Sequence, residues 1–333
     1  MEKSHKRGDL HDDLAPNRAR GLAAAVSLAP GAWAQGRWPS RPIRLISPYG
    51  AGGANDISAR ILGEQMAKSL GQPVVVENKA GAGTRVANAL VARAENDGYT
   101  VLYAAAPFAT AEALYGTLNY SSKDLKPVAM AVVAPLFLIV NAQSPFKTVQ
   151  DLVAYGKANP GKLNFGSPGA GSQPHLGAQL LMRDAGFEGL NVHFRGDAGA
   201  YSELLAGRID ATMTAITTAL PHVEAGKLRV LAVASPGRSR IYPQAPSLRE
   251  QGLGSVVASG WYGFMVPATT PKPIVERLQA EVNKALADPV VRKKLLEQGL
   301  EANGSTAAEF ARFIEGETRK WSEVIRKAGI KGE

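Results

Sequence analysis

Ser47-Pro48-Tyr49-Gly50-Ala51-Gly52-Gly53-Ala54-Asn55-Asp56 joins the strand-like run Ile43-Arg44-Leu45-Ile46 to a helical run from Ile57 to Leu70. Glycine accepts the positive φ of a tight turn, so several N–H groups can face one point, and the helix behind them adds the positive end of its dipole. Such a turn holds an anion. A second glycine-serine turn, Gly166-Ser167-Pro168-Gly169-Ala170-Gly171-Ser172-Gln173-Pro174-His175-Leu176, repeats the arrangement in the other half of the chain, after Leu163-Asn164-Phe165 and before a helical run from Leu176 to Asp184. Two anion-facing turns in two halves of one chain predict a cleft between lobes.

Strand-like and helix-like segments alternate outward from these turns, which predicts parallel sheets with crossover helices. In the first half, Asn55 or Asp56 is expected to cap the helix and Gly71 to close it, and Val74 to Glu77, Arg85 to Ala94 and Val101 to Ala105 complete a βαβαβ unit. The apolar stretch Ala131 to Asn141 leads to Thr148-Val149-Gln150-Asp151, a capping-box-like helix start. Strands are then expected at Asn191 to Phe194, Ala211 to Ala215 and Leu228 to Ala234, with a helix from Ala200 to Leu205 stopped by Gly207. The run Ser259 to Val266 carries the chain back to the first lobe. Residues 35–138 with 259–333 are thus expected to form one lobe and 139–258 the other, hinged at two crossings. Beyond Pro271 and Pro273 the pattern is helical, and Thr306 with Glu309 marks a capping box before Phe310, Phe313, Ile314, Trp321, Val324 and Ile325, read as core.

At 333 residues the chain exceeds one ordinary core, and its 45% apolar and 20% charged residues are usual for a folded protein. It contains no cysteine, which excludes disulfides, thiolate metal sites and thiol nucleophiles. Arg18 and Arg20 precede the apolar run Gly21 to Ala29, and Ala32-Trp33-Ala34 offers an A-x-A cleavage site, so residues 1–34 read as an export signal with a polar extension. The exported chain is expected in the periplasm. Residues 1–34 hold five Lys/Arg and four Asp/Glu, one net positive charge of the total +9, which leaves +8 for the remainder. That favours anionic ligands. Nucleic acid is disfavoured, because the basic residues are interleaved with acids and no aromatic-basic platform appears.

An enzyme is the competing reading. Gly81-Ala82-Gly83-Thr84-Arg85-Val86-Ala87 fits G-x-G-x-x-A after a strand, as in a dinucleotide-dependent enzyme, but the next strand ends in Ala106-Pro107-Phe108 without the acid that holds a ribose. Beyond the signal, His175, His193 and His222 suit no standard zinc spacing, and there is no G-x-S-x-G nucleophile elbow. Neither catalysis, a metal nor a cofactor is expected.

Trp38-Pro39-Ser40-Arg41-Pro42-Ile43-Arg44, the Tyr49 to Asp56 turn, Asn78-Lys79-Ala80-Gly81-Ala82-Gly83, the Gly166 to Leu176 turn, Leu204 to Asp210, Gly226 to Val233 and Trp261-Tyr262-Gly263 together resemble the Bug (TctC-like) family, the extracytoplasmic solute-binding receptors of tripartite tricarboxylate transporters. The resemblance runs through residues 37–331 in order. It implies a periplasmic binding protein of the type II architecture, two Rossmann-like α/β lobes closing on a small carboxylate. A monomer that delivers its ligand to membrane permease subunits is implied as well.

By position, the family's ligand loops fall on Tyr49, Ala51, Gly52, Gly53 and Asp56, and on Ser167, Gly171, Ser172 and His175, with loop backbone groups doing most of the gripping. Asp197 and Thr214 are added as candidates from the second lobe. Each has a structural alternative. Asp56 can cap the helix, and an acid facing an anion repels it; Ser167 and Ser172 can satisfy turn backbone; His175 can pack or cap; Asp197 can pair with Arg195; Asp210 reads as structural. If the Ser172 hydroxyl meets the ligand, its removal should weaken binding and leave the unliganded fold intact.

Overall fold

Of the five residues Ile43–Ser47 (β1) only Arg44 is exposed, and its guanidinium pairs with Glu77 at 2.7 Å on the neighbouring strand Val74–Asn78 (β2). The computed structural model describes residues 38–194 and 197–332. Between these strands runs Ala54–Leu70 (α1), closed by a left-handed Gly71 whose N–H returns to Ala67. Arg85–Ala92 (α2) then leads to Thr100–Ala105 (β3), and β1 lies between β2 and β3 with all three parallel, the βαβαβ unit predicted by the periodicity.

A short helix, Ala111–Tyr115 (α3), precedes the long strand Leu125–Asn141 (β4). The chain continues through Val149–Ala158 (α4), Leu163–Ser167 (β5), Gln173–Ala185 (α5), Gly189–His193 (β6), Asp197–Leu205 (α6), Ala211–Ala215 (β7), Leu220–Glu224 (α7) and Leu228–Val233 (β8). Ser259–Pro267 (β9), Lys272–Ala287 (α8), Pro289–Glu297 (α9), Glu301–Ala302 (β10) and Ala307–Ala328 (α10) complete it.

The strands run β2-β1-β3-β9-β4-β7-β5-β6, with β8 and β10 also on β4. Up to Pro135, β4 pairs with β9; from Leu136 it pairs with β7, so one strand serves two sheets. Proline has no N–H to offer a ladder, and Pro135 stands at the handover. The sheets are therefore mixed, a correction to the expected parallel arrangement. β4 and β9 are antiparallel to their neighbours, because the first sheet is closed by a strand returning from the other half of the chain. A continuous apolar run carries no signal of direction.

Both sheets are covered by helices and buried side chains. Ile43, Leu62, Val128, Phe264 and Leu278 pack on the first sheet, Leu138, Phe165, Leu180 and Met213 on the second. The amphipathic α10 serves both. Phe310 and Ile314 join the first sheet's core, whereas Trp321, Val324 and Ile325 join the second's. Its Thr306–Glu309 capping box and that of Thr148–Asp151 form as expected. Among the described residues no helix is long and apolar enough to cross a membrane. The export signal expected over 1–34 lies outside them, as does Arg195.

Candidate functional site

Strand direction decides where the two glycine turns point. In the first sheet β1 and β3 end at Ser47 and Ala105, and Ala105 stands opposite Tyr262 near the start of β9, beside the β4 handover. In the second, β5 and β7 are parallel, and Ala215 at the end of β7 stands opposite Leu136. The carboxyl ends of both sheets thus face the crossover, and in open α/β sheets ligands sit outside those ends. The turns after β1 and β5 leave from there.

The first turn is exposed from Gly50 to Gly53 and anchored from below. Gly53, not Asn55 or Asp56, is the N-cap residue of α1; this corrects the predicted cap, since a glycine brings no side-chain signal. Asp56 is the third helical residue. Its carboxylate accepts from the Gly52 N–H at 3.0 Å, from Asn78 at 2.9 Å and from Arg60 at 2.8 Å, and it is 3% exposed. Chiefly the Arg60 hydrogen bond holds its pKa down at about 2. Asn78 also donates to the Tyr49 carbonyl at 2.9 Å, and buried Ser47 donates to Asn55 at 2.7 Å. Burial, with Tyr262 adding to it, pushes the Tyr49 phenol upward, so it stays a neutral hydroxyl. The N–H groups of Gly53, Ala54, Asn55 and Asp56 have no acceptor among the described residues, and no atom lies within 4 Å of where a Cβ on Gly52 or Gly53 would sit. This is an open cradle of donors at a helix start.

The second turn is built differently. Ser172 is the N-cap of α5: its hydroxyl accepts from the His175 N–H at 3.4 Å and donates to the Gly169 carbonyl at 2.7 Å. Gly171, at φ 72°, donates its N–H to Nδ1 of His175 at 3.0 Å. Buried Ser167 pairs with Nδ1 of His193 at 2.8 Å, and the two imidazoles meet edge to face at 4.6 Å. Burial, and secondarily His193, lower the His175 pKa to about 4. The N–H groups of Ala170 and Gln173 have no acceptor among the described residues.

The candidates therefore divide. Tyr49, Ala51, Gly52 and Gly53 lie in the first turn, beside the N–H groups of Gly53 to Asp56, and Gly171 lies in the second; the N–H groups of Gly52 and Gly171 are themselves spent on Asp56 and His175. Asp56, Ser172 and His175 hold backbone in place here: of the two readings of Ser172, the structure has its hydroxyl on the Gly169 carbonyl. Ser167 is committed to His193, a partner the sequence spacing did not reveal. Thr214 is buried in β7 opposite Phe137 of β4. Asp197 opens α6, and its side chain lies outside the described residues. Asp210 accepts the Asn164 N–H at 2.8 Å, the structural role read from the sequence. Asn78 and Arg60 were missed as organisers of the first turn; an amide at a strand end and an (i, i+4) Asp-Arg pair were the available signals.

The dinucleotide-like turn is filled from within. A Cβ on Gly83 would stand 2.8 Å from the Tyr115 hydroxyl, and the Arg85 guanidinium lies 3.7 Å over the Tyr115 ring. The side chain of Tyr115 thus packs against Gly83 in that turn.

The family model described as the tripartite tricarboxylate transporter family receptor matches residues 58–330. The periplasmic binding protein BugD superposes with a TM-score of 0.72 at 31% identity, covering 89% of this chain and 100% of its own. A protein from R. palustris solved with adipate gives 0.75 at 30% identity, over 88% of this chain and 99% of that one. MatC from Rhodopseudomonas palustris, with bound malate, gives 0.71 at 31%, over 86% and 99%. These relatives are two-lobed α/β receptors rather than enzymes.

Proposed function

The chain belongs to the tripartite tricarboxylate transporter receptor family, of the Bug type, and on that premise we propose that it is a periplasmic receptor that captures one small carboxylate between its lobes. The observation that carries this reading is the pair of glycine turns leaving the carboxyl ends of two sheets that face one crossover, with unspent N–H donors at each. Adipate and malate in related structures fit such donors. Tyr49, Ala51, Gly52, Gly53 and Gly171 would contact the ligand, from Asp197 and Thr214 a side-chain contribution would come, and Asp56, Ser167, Ser172 and His175 would hold the turns.

On this reading residues 35–138 with most of 259–333 move against 139–258, with the crossings at Pro135–Leu136 and just before Ser259 as hinges. A ligand touching both lobes has its full contact energy only when they meet, so binding shifts an open population toward a closed one. The closed monomer is then delivered to membrane permease subunits, after export and removal of residues 1–34.

A thermal-shift panel of mono-, di- and tricarboxylates tests it. Ligand at a hundredfold over Kd adds about 2.7 kcal/mol of stability. A panel in which nucleotides shift the melting point and no carboxylate does would overturn the reading, and scattering profiles unchanged by a saturating ligand would remove closure from it.

A further inference from the structure

Behind the crossover, a cavity of about 570 Å³ is walled by both halves of the chain: Pro135 and Ser259 at the two crossings, Arg238 and Arg240 from the segment after β8, Arg292 on α9 and Glu301 on β10. None of its lining belongs to the glycine turns. A smaller cavity of about 190 Å³ shares Arg240, Arg292 and Glu301 and adds Lys293.

The three guanidiniums are not equivalent. Arg238 is spent on Glu250, with contacts of 2.9 to 3.3 Å, and on the Pro243 carbonyl at 3.3 Å. Arg292 donates only its Nε, to the Leu286 carbonyl at 2.7 Å, and the guanidinium of Arg240 has no acceptor among the described residues. Glu301, the acid in the wall, turns one oxygen to the Ser239 hydroxyl at 2.5 Å and the Arg240 N–H at 2.9 Å and makes no ion pair with either arginine among the described residues, so one carboxylate stands against two guanidiniums and the wall keeps a net positive charge. Two forked cations approaching one space from opposite halves suit an oxyanion of two charges, because phosphoryl oxygens can accept from both forks at once. Val133, Val257 and Phe313 add apolar surface to the lining, and the volume exceeds what a bare phosphate fills.

We propose that this cavity is a second anion site, separate from the carboxylate cleft, taking a small organic phosphate whose charged group bridges Arg240 and Arg292 and whose organic part lies on the apolar part of the lining. Because the two arginines belong to different halves, the bridge is complete in only one lobe arrangement, and its ligand is coupled to the hinge.

Calorimetry on the signal-free chain at low ionic strength tests it, with inorganic phosphate and glycerol 3-phosphate as probes. Saturable binding is expected, tighter for the ester, falling at least tenfold in Arg240→Gln and in Arg292→Gln, while Lys272→Gln, a change of one exposed charge elsewhere, leaves it unaltered. Saturating glycerol 3-phosphate should also change malate or adipate affinity severalfold, with the same factor in the reverse titration. No saturable binding, equal loss in Lys272→Gln, or one-for-one displacement by the carboxylate would overturn the site. Phosphate binding is read directly, so failure of the carboxylate panel leaves this result distinguishable.

Discussion

The Gly171 amide donates to Nδ1 of His175 at 3.0 Å, which requires that ring nitrogen to be unprotonated. A proton there would place two donors face to face, with His193 packed against the same ring and its own Nδ1 on Ser167. The second turn is therefore held by a neutral histidine.

A pH dependence follows. His175 binds its proton at about 4 in the folded chain against an ordinary 6.5, so between those values the unfolded state holds more protons and stability rises with pH. The contribution is whole above pH 6.5 and is lost as pH falls toward 4, at most about 3 kcal/mol. Melting curves between pH 7 and 4 should show a shallower fall in His175→Asn, whose amide oxygen replaces the acceptor without titrating. Identical slopes would remove His175 from this role.

Ser172→Ala should cost about 1 kcal/mol of stability, the value of a helix cap, and lower the melting point by roughly 2–4 °C without ligand. An unchanged melting point with weakened carboxylate binding would restore the hydroxyl to the ligand.

Gly171→Val meets two obstacles. The position has φ 72°, and its Cβ would stand 2.9 Å from Leu114 of the first half. Left-handed strain and crowding together should cost about 2–4 kcal/mol and lower affinity sharply. Leu114→Ala in the same chain removes only the crowding, so a double-mutant cycle should recover part of the loss. Zero coupling would show that the two side chains do not meet.

Asp56→Ala removes the acceptor of Gly52, Asn78 and Arg60 together, and about 2 kcal/mol of stability should go with it, along with carboxylate affinity as the first cradle loosens. Its carboxylate keeps a depressed pKa near 2, so this contribution is complete above the ordinary 3.8 and lost as pH falls toward 2. Asp56→Ala with full affinity and a lowered melting point would confine the residue to folding.

Much of this arrangement was legible where signals are local. The βαβαβ start, the Gly71 stop and both capping boxes follow from residues within four positions of one another. Asp288-Pro289 separates α8 from α9 and caps the latter, a stop-and-start signal visible in the sequence yet passed over. Ser172 before Gln173-Pro174 is likewise a helix-start signature, and its backbone-satisfying alternative takes the specific form of an N-cap. What no local pattern holds is the pairing of distant segments: β4 changing sheets at Pro135, β9 entering antiparallel, Leu114 against Gly171, Ser239 on Glu301. These depend on which surfaces meet after both halves exist.

The C-terminal helix sets an order of assembly. Its first turns belong to one core and Trp321, Val324 and Ile325 to the other, so the second lobe lacks a wall until the later turns of this helix are available. A chain emerging from synthesis therefore cannot finish that lobe early. That lobe stays unlocked until the later turns of this helix reach it.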